Sequence, residues 1–326
     1  MPLTATPPPP TATPGLAAEI ARLKRERDAV ILAHYYQEDD IQDVADFIGD
    51  SLQLARQAAA TTASTIVFCG VHFMAETAKI LNPQRRVLLP DLRAGCSLSD
   101  SCPADRFKAF IDAHPGHVVV TYVNSSAQVK ALSDYCVTSS NACAVVRSIP
   151  ADQPIIFAPD QYLGDWVSRE TGRPLVLWAG SCEVHENFSQ QAIIDLQAAH
   201  PGCVTLVHPE CPLPIRALAD VVGSTTQLLQ RVQRGEPRGT YLVVTEPGIV
   251  HQMEKAAPQA TFLLAPAAVG GTQQGSCTHC NTCPHMRLNT LVKIRDCLRD
   301  GRPELHLDPA LIARARLPIE RMIAIG

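Results

Sequence analysis

Three stretches of this 326-residue chain follow one template: residues 30–51, 118–139 and 204–225. They align without a gap. With His34, Tyr122 and His208 as the zero of each copy, Asp46, Asp134 and Asp220 lie 12 residues on, and Ser51, Ser139 and Thr225 lie 17 on. The zeros run from 34 to 122 and from 122 to 208, separations of 88 and 86 residues. That period is too long for a solenoid unit and suits a small α/β subdomain. A chain built this way has one natural shared site, the point where its three subdomains meet.

Each copy opens with an apolar run suited to a buried parallel strand, at 29–33, 118–123 and 204–207. Apolar residues then recur at offsets 7, 10 and 14: Ile41, Val44, Ile48; Val129, Leu132, Cys136; Ile215, Leu218, Val222. This i, i+3, i+7 spacing predicts one helix with a stripe facing a sheet. A second strand begins near Ile66, Ile155 and Tyr241, another helix follows, and a third strand begins near Val87, Leu175 and Thr261. Three strands alternating with helices predict an α/β fold: three pseudo-threefold-related αβα subdomains, each with a small parallel sheet, around a central site. Ligands bind such sheets at the carboxyl ends of their strands. The expected boundaries are subdomains at 16–103, 104–187 and 188–300, then a C-terminal helical segment at 301–326. Residues 1–15, rich in Pro, Thr and Ala without hydrophobic periodicity, read as a disordered tail.

Composition excludes several classes of function. The net charge of −4 supplies no basic excess for nucleic acid. No run approaches the 18 or so apolar residues of a membrane span, and no basic segment with an apolar h-region opens the chain. The expectation is a cytoplasmic protein without membrane or nucleic-acid partners. Its 12 cysteines should then be reduced, which calls for a reading other than a disulfide framework.

The third strands lead into AGCSLSDSCP, AGSCEVHENF and GTQQGSCTHCNTCPHM, each holding a candidate thiol: Cys96, Cys182, and one of Cys277, Cys280 or Cys283. Cys283, directly before Pro284, is preferred in the third copy. One thiolate per repeat serves zinc or an iron–sulfur cluster, with a coordination position left for substrate. Cys69, Cys136, Cys143 and Cys203 lie in strand or helix patterns and read as small core residues. The CxxC pair that remains in the third copy suits a thiol switch, a second metal site or an accessory.

Ser51, Ser139 and Thr225 stand just ahead of the second helical pattern, where Ser and Thr act as N-caps. Three equivalent helix starts around one axis also suit a ligand with carboxylates or phosphate. At the template zero stand His34 with Tyr35 and Tyr36, Tyr122 with Asn124, and His208 with Glu210, polar groups unusual directly after a buried strand. Together they offer acid/base chemistry from three directions. The aspartates at offset 12 read as structural residues on the template helix.

These residues lie in motifs that resemble the quinolinate synthase family: AHYYQ (33–37), GDSL (49–52), GVHFMAETAKIL (70–81), AGCSLSDSCP (94–103), YVNSSAQVKA (122–131), TSSNA (138–142), VHPEC (207–211), VGST (222–225) and CTHCNTCPHM (277–286). The resemblance covers nearly the whole chain after the tail. It implies three homologous αβα domains around one 4Fe-4S cluster per chain, held by Cys96, Cys182 and Cys283. It also implies a reaction, in which iminosuccinate and dihydroxyacetone phosphate condense to a pyridine dicarboxylate with loss of phosphate and two waters. The substrate pocket carries over to His34, Ser51, Tyr122, Val123, Asn124, Ser139, His208, Pro209, Glu210 and Thr225. Tyr36 is the lead candidate for proton transfer and Glu210 the second, with His34, Tyr122 and His208 beside them. An L-aspartate-oxidising partner is implied as the source of iminosuccinate. Some family members have a single cysteine near the third ligand, so Cys277 and Cys280 have no carried-over role. A hydro-lyase sharing the open-iron chemistry and a non-catalytic iron–sulfur or zinc sensor are the rival readings, and the sensor has no use for the polar groups at the template zero.

Overall fold

A computed structural model describes residues 14–268 and 281–325. Each repeat forms four parallel strands rather than three. The first sheet contains β1 (Ala29–His34), β2 (Phe47–Gly49), β3 (Thr65–Cys69) and β4 (Arg86–Leu88), in the order β2-β1-β3-β4. The second contains β5 (Val118–Tyr122), β6 (Tyr135–Val137), β7 (Ile155–Ala158) and β8 (Val176–Leu177), in the order β6-β5-β7-β8. The third contains β9 (Val204–Val207), β10 (Val221–Val222), β11 (Thr240–Val244) and β12 (Thr261–Leu264), in the order β10-β9-β11-β12. Register repeats along with order: Ala33 pairs with Cys69, Thr121 with Ala158 and Val207 with Val244. Each of these pairs lies one residue before the template zero, so the polar groups at the zero emerge together at the carboxyl edge of every sheet. The central strands are almost wholly buried, as continuous apolar runs covered on both faces require.

The extra strand corrects the single long helix expected from offsets 7, 10 and 14. The first helix of each repeat is short: Asp39–Val44, Ala127–Lys130 and Leu213–Arg216. Ile48, Cys136 and Val222 at offset 14 lie instead on the edge strands β2, β6 and β10. One helical turn and one short strand both turn apolar residues toward the same core, and their combined spacing mimics a longer helix. The aspartates at offset 12 are likewise not helical, since each immediately precedes its edge strand. The backbone N–H of Ile31, Val119 and Thr205 donates to Asp46, Asp134 and Asp220 at 2.8, 2.8 and 2.7 Å. The aspartate N–H groups return bonds to the carbonyls of the same three residues. The side chain thus supplies one rung of the ladder before backbone pairing begins, which starts a strand too short to start itself.

A second helix follows in each repeat: Ser51–Ala60, Ala142–Ser148 and Thr225–Gln233. Their N-termini meet at Asp50. One oxygen of Asp50 accepts from the N–H of Leu52 and Gln53, capping its own helix. The other accepts from the hydroxyls of Ser140 at 2.6 Å and Thr226 at 2.7 Å, from the second and third repeats. Ser140 Oγ also lies 2.9 Å from the hydroxyl of Ser224, the cap of the third helix, from which it accepts.

Segments outside the repeats close the assembly. The helix Pro14–Glu26 starts inside the stretch expected as a tail, and residues 1–13 lie outside the described residues. It packs on the helix Leu291–Asp300. The chain then returns to the first sheet, where the Leu305 N–H donates to the Val87 carbonyl. The helix Pro309–Ala324 ends the fold against the first and second repeats. No described helix is long and apolar enough to cross a membrane.

Asp50→Asn keeps the side-chain shape but leaves one acceptor oxygen where two were used. We expect a loss of about 2–3 kcal/mol, the scale of hydrogen bonds to a charged group, read as a lower urea midpoint of the metal-free protein. An unchanged midpoint would show that this junction adds nothing to holding the repeats together.

Candidate active site

The carboxyl edges of the three sheets surround one cavity that opens to solvent. Its wall includes Cys96, Cys182 and Cys283, one thiol from each repeat, and His34, Tyr36, Tyr122, Asn124, His208 and Glu210 from the template zero. Ser51, Ser139 and Thr225 complete it. Val123 and Pro209 are buried in the same segments, but neither lines the cavity. Cys277 and Cys280 lie outside the described residues.

The hydroxyls at offset 17 are not the helix caps. Asp50 and Ser224 cap the first and third of these helices, and Asn141 precedes the second. Ser51 and Thr225 are the first helical residues, and Ser139 sits in the turn before its helix. Asp50 and Ser224 do the capping beside Ser51 and Thr225, none of the three hydroxyls makes a hydrogen bond among the described residues, and all three residues line the cavity. Asn124 adds a buried carbonyl oxygen, Oδ1, with no partner. These unpaired polar atoms are the kind a polar ligand satisfies.

Each thiol stands at the start of a helical turn. Backbone N–H groups point at it from Leu98 and Ser99 for Cys96, from His185 for Cys182, and from His285 and Met286 for Cys283. Burial nevertheless pushes all three thiols up, Cys283 to about 12, and neighbouring acidic groups push further. In the metal-free protein they are therefore neutral thiols. A bound cation reverses that balance, because it compensates three thiolates at once and the N–H groups then donate to sulfur. Cys69 and Cys136 are buried core residues as expected, whereas Cys143 and Cys203 are only half-buried.

Beside the thiols lies an acid/base set tied together by hydrogen bonds, with His185 Nδ1 3.3 Å from Cys182 Sγ. The Tyr122 hydroxyl donates to Glu210 Oε1 at 2.5 Å, and His185 Nδ1 is 3.0 Å from Glu210 Oε2. Burial alone would raise the Glu210 carboxyl, but His185, His208 and the Tyr122 hydroxyl outweigh it and bring it down to about 2. Glu210 is thus a buried carboxylate. Burial holds His34 at about 4 and His208 at about 3, so both imidazoles are neutral at pH 7. His34 Nδ1 accepts from the Tyr36 N–H, and His208 Nδ1 from the Glu210 N–H, which leaves each Nε2 as the N–H. Tyr36 and Tyr122 are pushed well above the ordinary phenol range, first by burial, and Glu210 adds to it.

Three wall residues escape the repeat pattern. His185, in the turn after Cys182, stacks on His208 with ring centroids 4.5 Å apart. Its signal was present in the AGSCEVHENF segment, three residues beyond the thiol. Glu246 is fully buried, accepts from the N–H groups of Gly248 and Cys283, and pairs with Arg287 at 3.0 Å. Burial raises it to about 7 against the pull of Arg287. Asp50 also lines the wall. Among the described residues, Cys182, His185 and Glu210 bring their ligand atoms within 4.8 Å of one another, close enough for one ion. Cys182 Sγ and Glu210 Oε2 both approach His185 Nδ1, at 3.3 and 3.0 Å, and Glu210 Oε1 accepts from Tyr122, so the three residues are joined by hydrogen bonds.

Three parallel α/β units that pool a thiol each, with a carboxylate, tyrosines and histidines, define an enzyme pocket of the metal-dependent class. The model of the quinolinate synthetase A protein family matches residues 18–324. A quinolinate synthase from a Synechococcus strain is 58% identical over 311 residues, covering 95% of each chain. One from Thermosynechococcus vestitus is 56% identical over 311 residues and 95% of each chain. Another, from Cyanophora paradoxa, is 53% identical over 311 residues, covering 95% of this chain and 92% of the relative. The chain belongs to the quinolinate synthetase A family.

The neutral histidines fix a sign for pH dependence. Between its ordinary 6.5 and its folded value of about 4, position 34 binds a proton in the unfolded chain but not in the folded one. Folding must therefore weaken as pH falls through that window. Glu246, raised from 4.5 to about 7, acts in the opposite sense but is common to both proteins compared. Metal-free wild type should lose stability relative to His34→Gln as pH drops from 6.5 to 4. Urea midpoints measured across that range check it, and parallel curves would mean that the folded protein accepts the proton on His34.

Proposed function

We propose that this chain is a quinolinate synthase that condenses iminosuccinate with dihydroxyacetone phosphate, releasing phosphate and two waters. The observation that carries this reading is the convergence of one thiol per repeat, three unpaired hydroxyls and a hydrogen-bonded acid/base set on a single cavity. A sensor has no need of the last two.

Cys96, Cys182 and Cys283 are the residues that would hold a 4Fe-4S cluster, one per chain. When bound, the cluster supplies a Lewis-acid iron that makes hydroxide a better leaving group. The donor set supports it: three half-buried free thiols, one from each repeat, each with backbone N–H donors, line the same cavity.

The chain's own residues divide binding from proton transfer. Ser51, Ser139, Thr225 and the Asn124 amide bind carboxylate or phosphate oxygens, while the segments carrying Val123 and Pro209 set the position of their neighbours. His34 and His208 donate from Nε2. Tyr36 moves a proton in the isomerisation, imine-forming and dehydration steps, and Glu210, with Tyr122 donating to it, is the second acid/base group. The enzyme is cytoplasmic and takes iminosuccinate from an L-aspartate-oxidising enzyme. The proposed subdomains are 16–103, 104–187 and 188–300, with the helix Leu291–Asp300 at the end of the third packed back on the first, and 301–326 as the closing segment.

Anaerobic reconstitution with iron and sulfide should give one 4Fe-4S cluster per chain. Cys96→Ser, Cys182→Ser and Cys283→Ser should each abolish it, whereas Cys277→Ser and Cys280→Ser should retain it. Full occupancy in any of the first three removes that cysteine from the ligand set, and a protein that takes up only zinc overturns the cluster.

Binding and chemistry separate in a second test, quinolinate formation from the two precursors without oxygen. Ser139→Ala should chiefly raise KM, by roughly tenfold for one lost charge-assisted hydrogen bond of about 1.5 kcal/mol. Tyr36→Phe should lower kcat by about 10²-fold with the cluster spectrum unchanged. Near-normal turnover in Tyr36→Phe would shift proton transfer to Glu210, His34 or Tyr122.

A further inference from the structure

The turns that carry the acid/base groups are built alike. In each repeat the residues at offsets 0 and 2 line the cavity: His34 and Tyr36, Tyr122 and Asn124, His208 and Glu210. The N–H groups of Gln37 and Cys211 close the first and third turns on the carbonyls of His34 and His208, at 3.0 Å each. In the second turn the Ser125 hydroxyl closes on the Tyr122 carbonyl at 2.9 Å. The carbonyl at offset 3 then needs a donor of its own.

In every repeat that donor comes from offset 8, on the short first helix. Gln42, Lys130 and Arg216 stand there, and all three are buried. Gln42 Nε2 donates to the Gln37 carbonyl at 2.9 Å and to the Tyr35 carbonyl at 3.0 Å. Lys130 Nζ donates to the Ser125 carbonyl, and Arg216 Nε to the Cys211 carbonyl at 2.8 Å. An amide, an ammonium and a guanidinium differ in charge and shape, so residue type hides the repeat. What recurs is a long side chain ending in N–H donors.

Each donor also leaves its own repeat, and the three run in one direction around the ring. Gln42 Nε2 reaches the Gly248 carbonyl in the third repeat at 2.9 Å. Lys130 Nζ stands over the Phe73 ring in the first, 5.3 Å from its centroid. Arg216 Nη2 meets Asp165 Oδ2 in the second at 2.5 Å. The partners correspond as well: Phe73 and Gly248 lie four residues past the matched strand ends Cys69 and Val244, and Glu76 and Asp165 lie seven past Cys69 and Ala158. Burial pulls the Lys130 ammonium below the usual lysine range, and the Glu76 carboxylate works against it. Gln42 carries no charge and has a neutral partner instead, since its Oε1 accepts from Gln252 Nε2 at 2.9 Å. Gly248 also packs on the turn itself: a Cβ there would lie 2.9 Å from the Tyr35 carbonyl oxygen and 2.9 Å from Tyr36 Cα.

We propose that Gln42, Lys130 and Arg216 are positioning residues for the reaction: each holds the cavity turn of its own repeat by the offset-3 carbonyl and fixes it against the neighbouring repeat. None of the three lines the cavity, so they act through the residues that those turns carry. The role of Gln42 rests on the assignment of proton transfer to Tyr36, and that of Arg216 on Glu210 as the second acid/base group.

The test uses the reconstituted full chain and pairs each donor with the turn it serves. Gln42→Met and Arg216→Met keep a long side chain and remove the donors. Each should lower kcat about tenfold, the scale of one lost hydrogen bond, with the iron and sulfide content unchanged. In a Tyr36→Phe background Gln42→Met should cost less than about twofold more, while Arg216→Met keeps its full cost; in a Glu210→Gln background the pattern should reverse. A residue that only holds the fold together would cost the same in both backgrounds. If Gln42→Met does not fold, Gly248→Ala displaces the same turn and carries the same expectations. Normal kcat in either Met variant overturns the role of that residue. Equal losses in both backgrounds, or loss of the cluster in every folded variant, overturn the inference. Normal turnover in Tyr36→Phe alone is a different result: it overturns the Tyr36 assignment and the role of Gln42 with it, and the Arg216 comparison then decides the rest.

Discussion

The arrangement of the cavity depends on the carboxylate of Asp50. It caps one helix and accepts hydroxyls from the other two repeats, so three helix N-termini are tied at one point. A negative charge is well placed there, since each N-terminus presents unpaired N–H groups and the positive end of a helix dipole. The consequence reaches the cavity wall directly. Ser51, Ser140 and Thr226 are sequence neighbours of the wall or of the cap, and fixing Asp50, Ser140 and Thr226 sets the directions of Ser51, Ser139 and Thr225 beside them. Had Ser51 and Thr225 been the caps, as their residue types suggest, their hydroxyls would have been spent on their own helices.

The backbone is nearly threefold, but the chemistry placed on it is not. At the template zero the repeats carry His34, Tyr122 and His208, and two residues on they carry Tyr36, Asn124 and Glu210. Two places beyond the matched ends of β3, β7 and β11 stand Val71, Asp160 and Glu246. The carboxyl groups among these differ in charge because their surroundings differ. Glu210 is held ionised by His185, His208 and Tyr122, whereas burial, reinforced by the Glu210 charge, pushes Asp160 well up. Both carboxyls accept hydrogen bonds, Asp160 from the N–H groups of Tyr162 and Leu163, but Glu210 has the imidazoles of His185 and His208 beside it and keeps the charge. A symmetric scaffold thus yields a site with distinct acid, base and binding walls.

What could be read from the sequence follows the length of each signal. The central strands were legible because four to six consecutive apolar residues leave few alternatives, and the thiols because each follows a third strand at a turn. The edge strands were not, because two or three residues such as Val221 and Val222 carry no periodicity and their apolar side chains extend the preceding helical stripe. Asp46, Asp134 and Asp220 were visible as a repeat but misplaced, since a side chain standing in for a ladder carbonyl has no signature beyond its spacing. Asp50 was overlooked because it exists in one repeat only. His185 and Glu246 were overlooked for the same reason: a search for what recurs cannot find what a single repeat adds, and that is where much of the acid/base chemistry lies.

Closure of the ring is also unequal, and it explains how a segment far from the thiols bears on the cavity. The side-chain amide of Asn141 donates to the carbonyls of Met322 and Ile325, at the end of the last helix, at 2.9 and 2.8 Å. Its Oδ1 accepts from the N–H and hydroxyl of Thr138. The turn held between these bonds contains Ser139, on the cavity wall, and Ser140, on Asp50. Arg56, from the first repeat, reaches the neighbouring carbonyl of Ile323. The final helical turn therefore grips the first and second repeats at the loop that carries one binding hydroxyl and one strand of the Asp50 junction. Because Asn141 is almost fully buried, its bonds to the helix end have no water to replace them. Displacing that turn would leave unpaired donors on Asn141 and loosen Ser139 and Ser140 together, so the order of the binding wall is set partly by residues that touch no substrate.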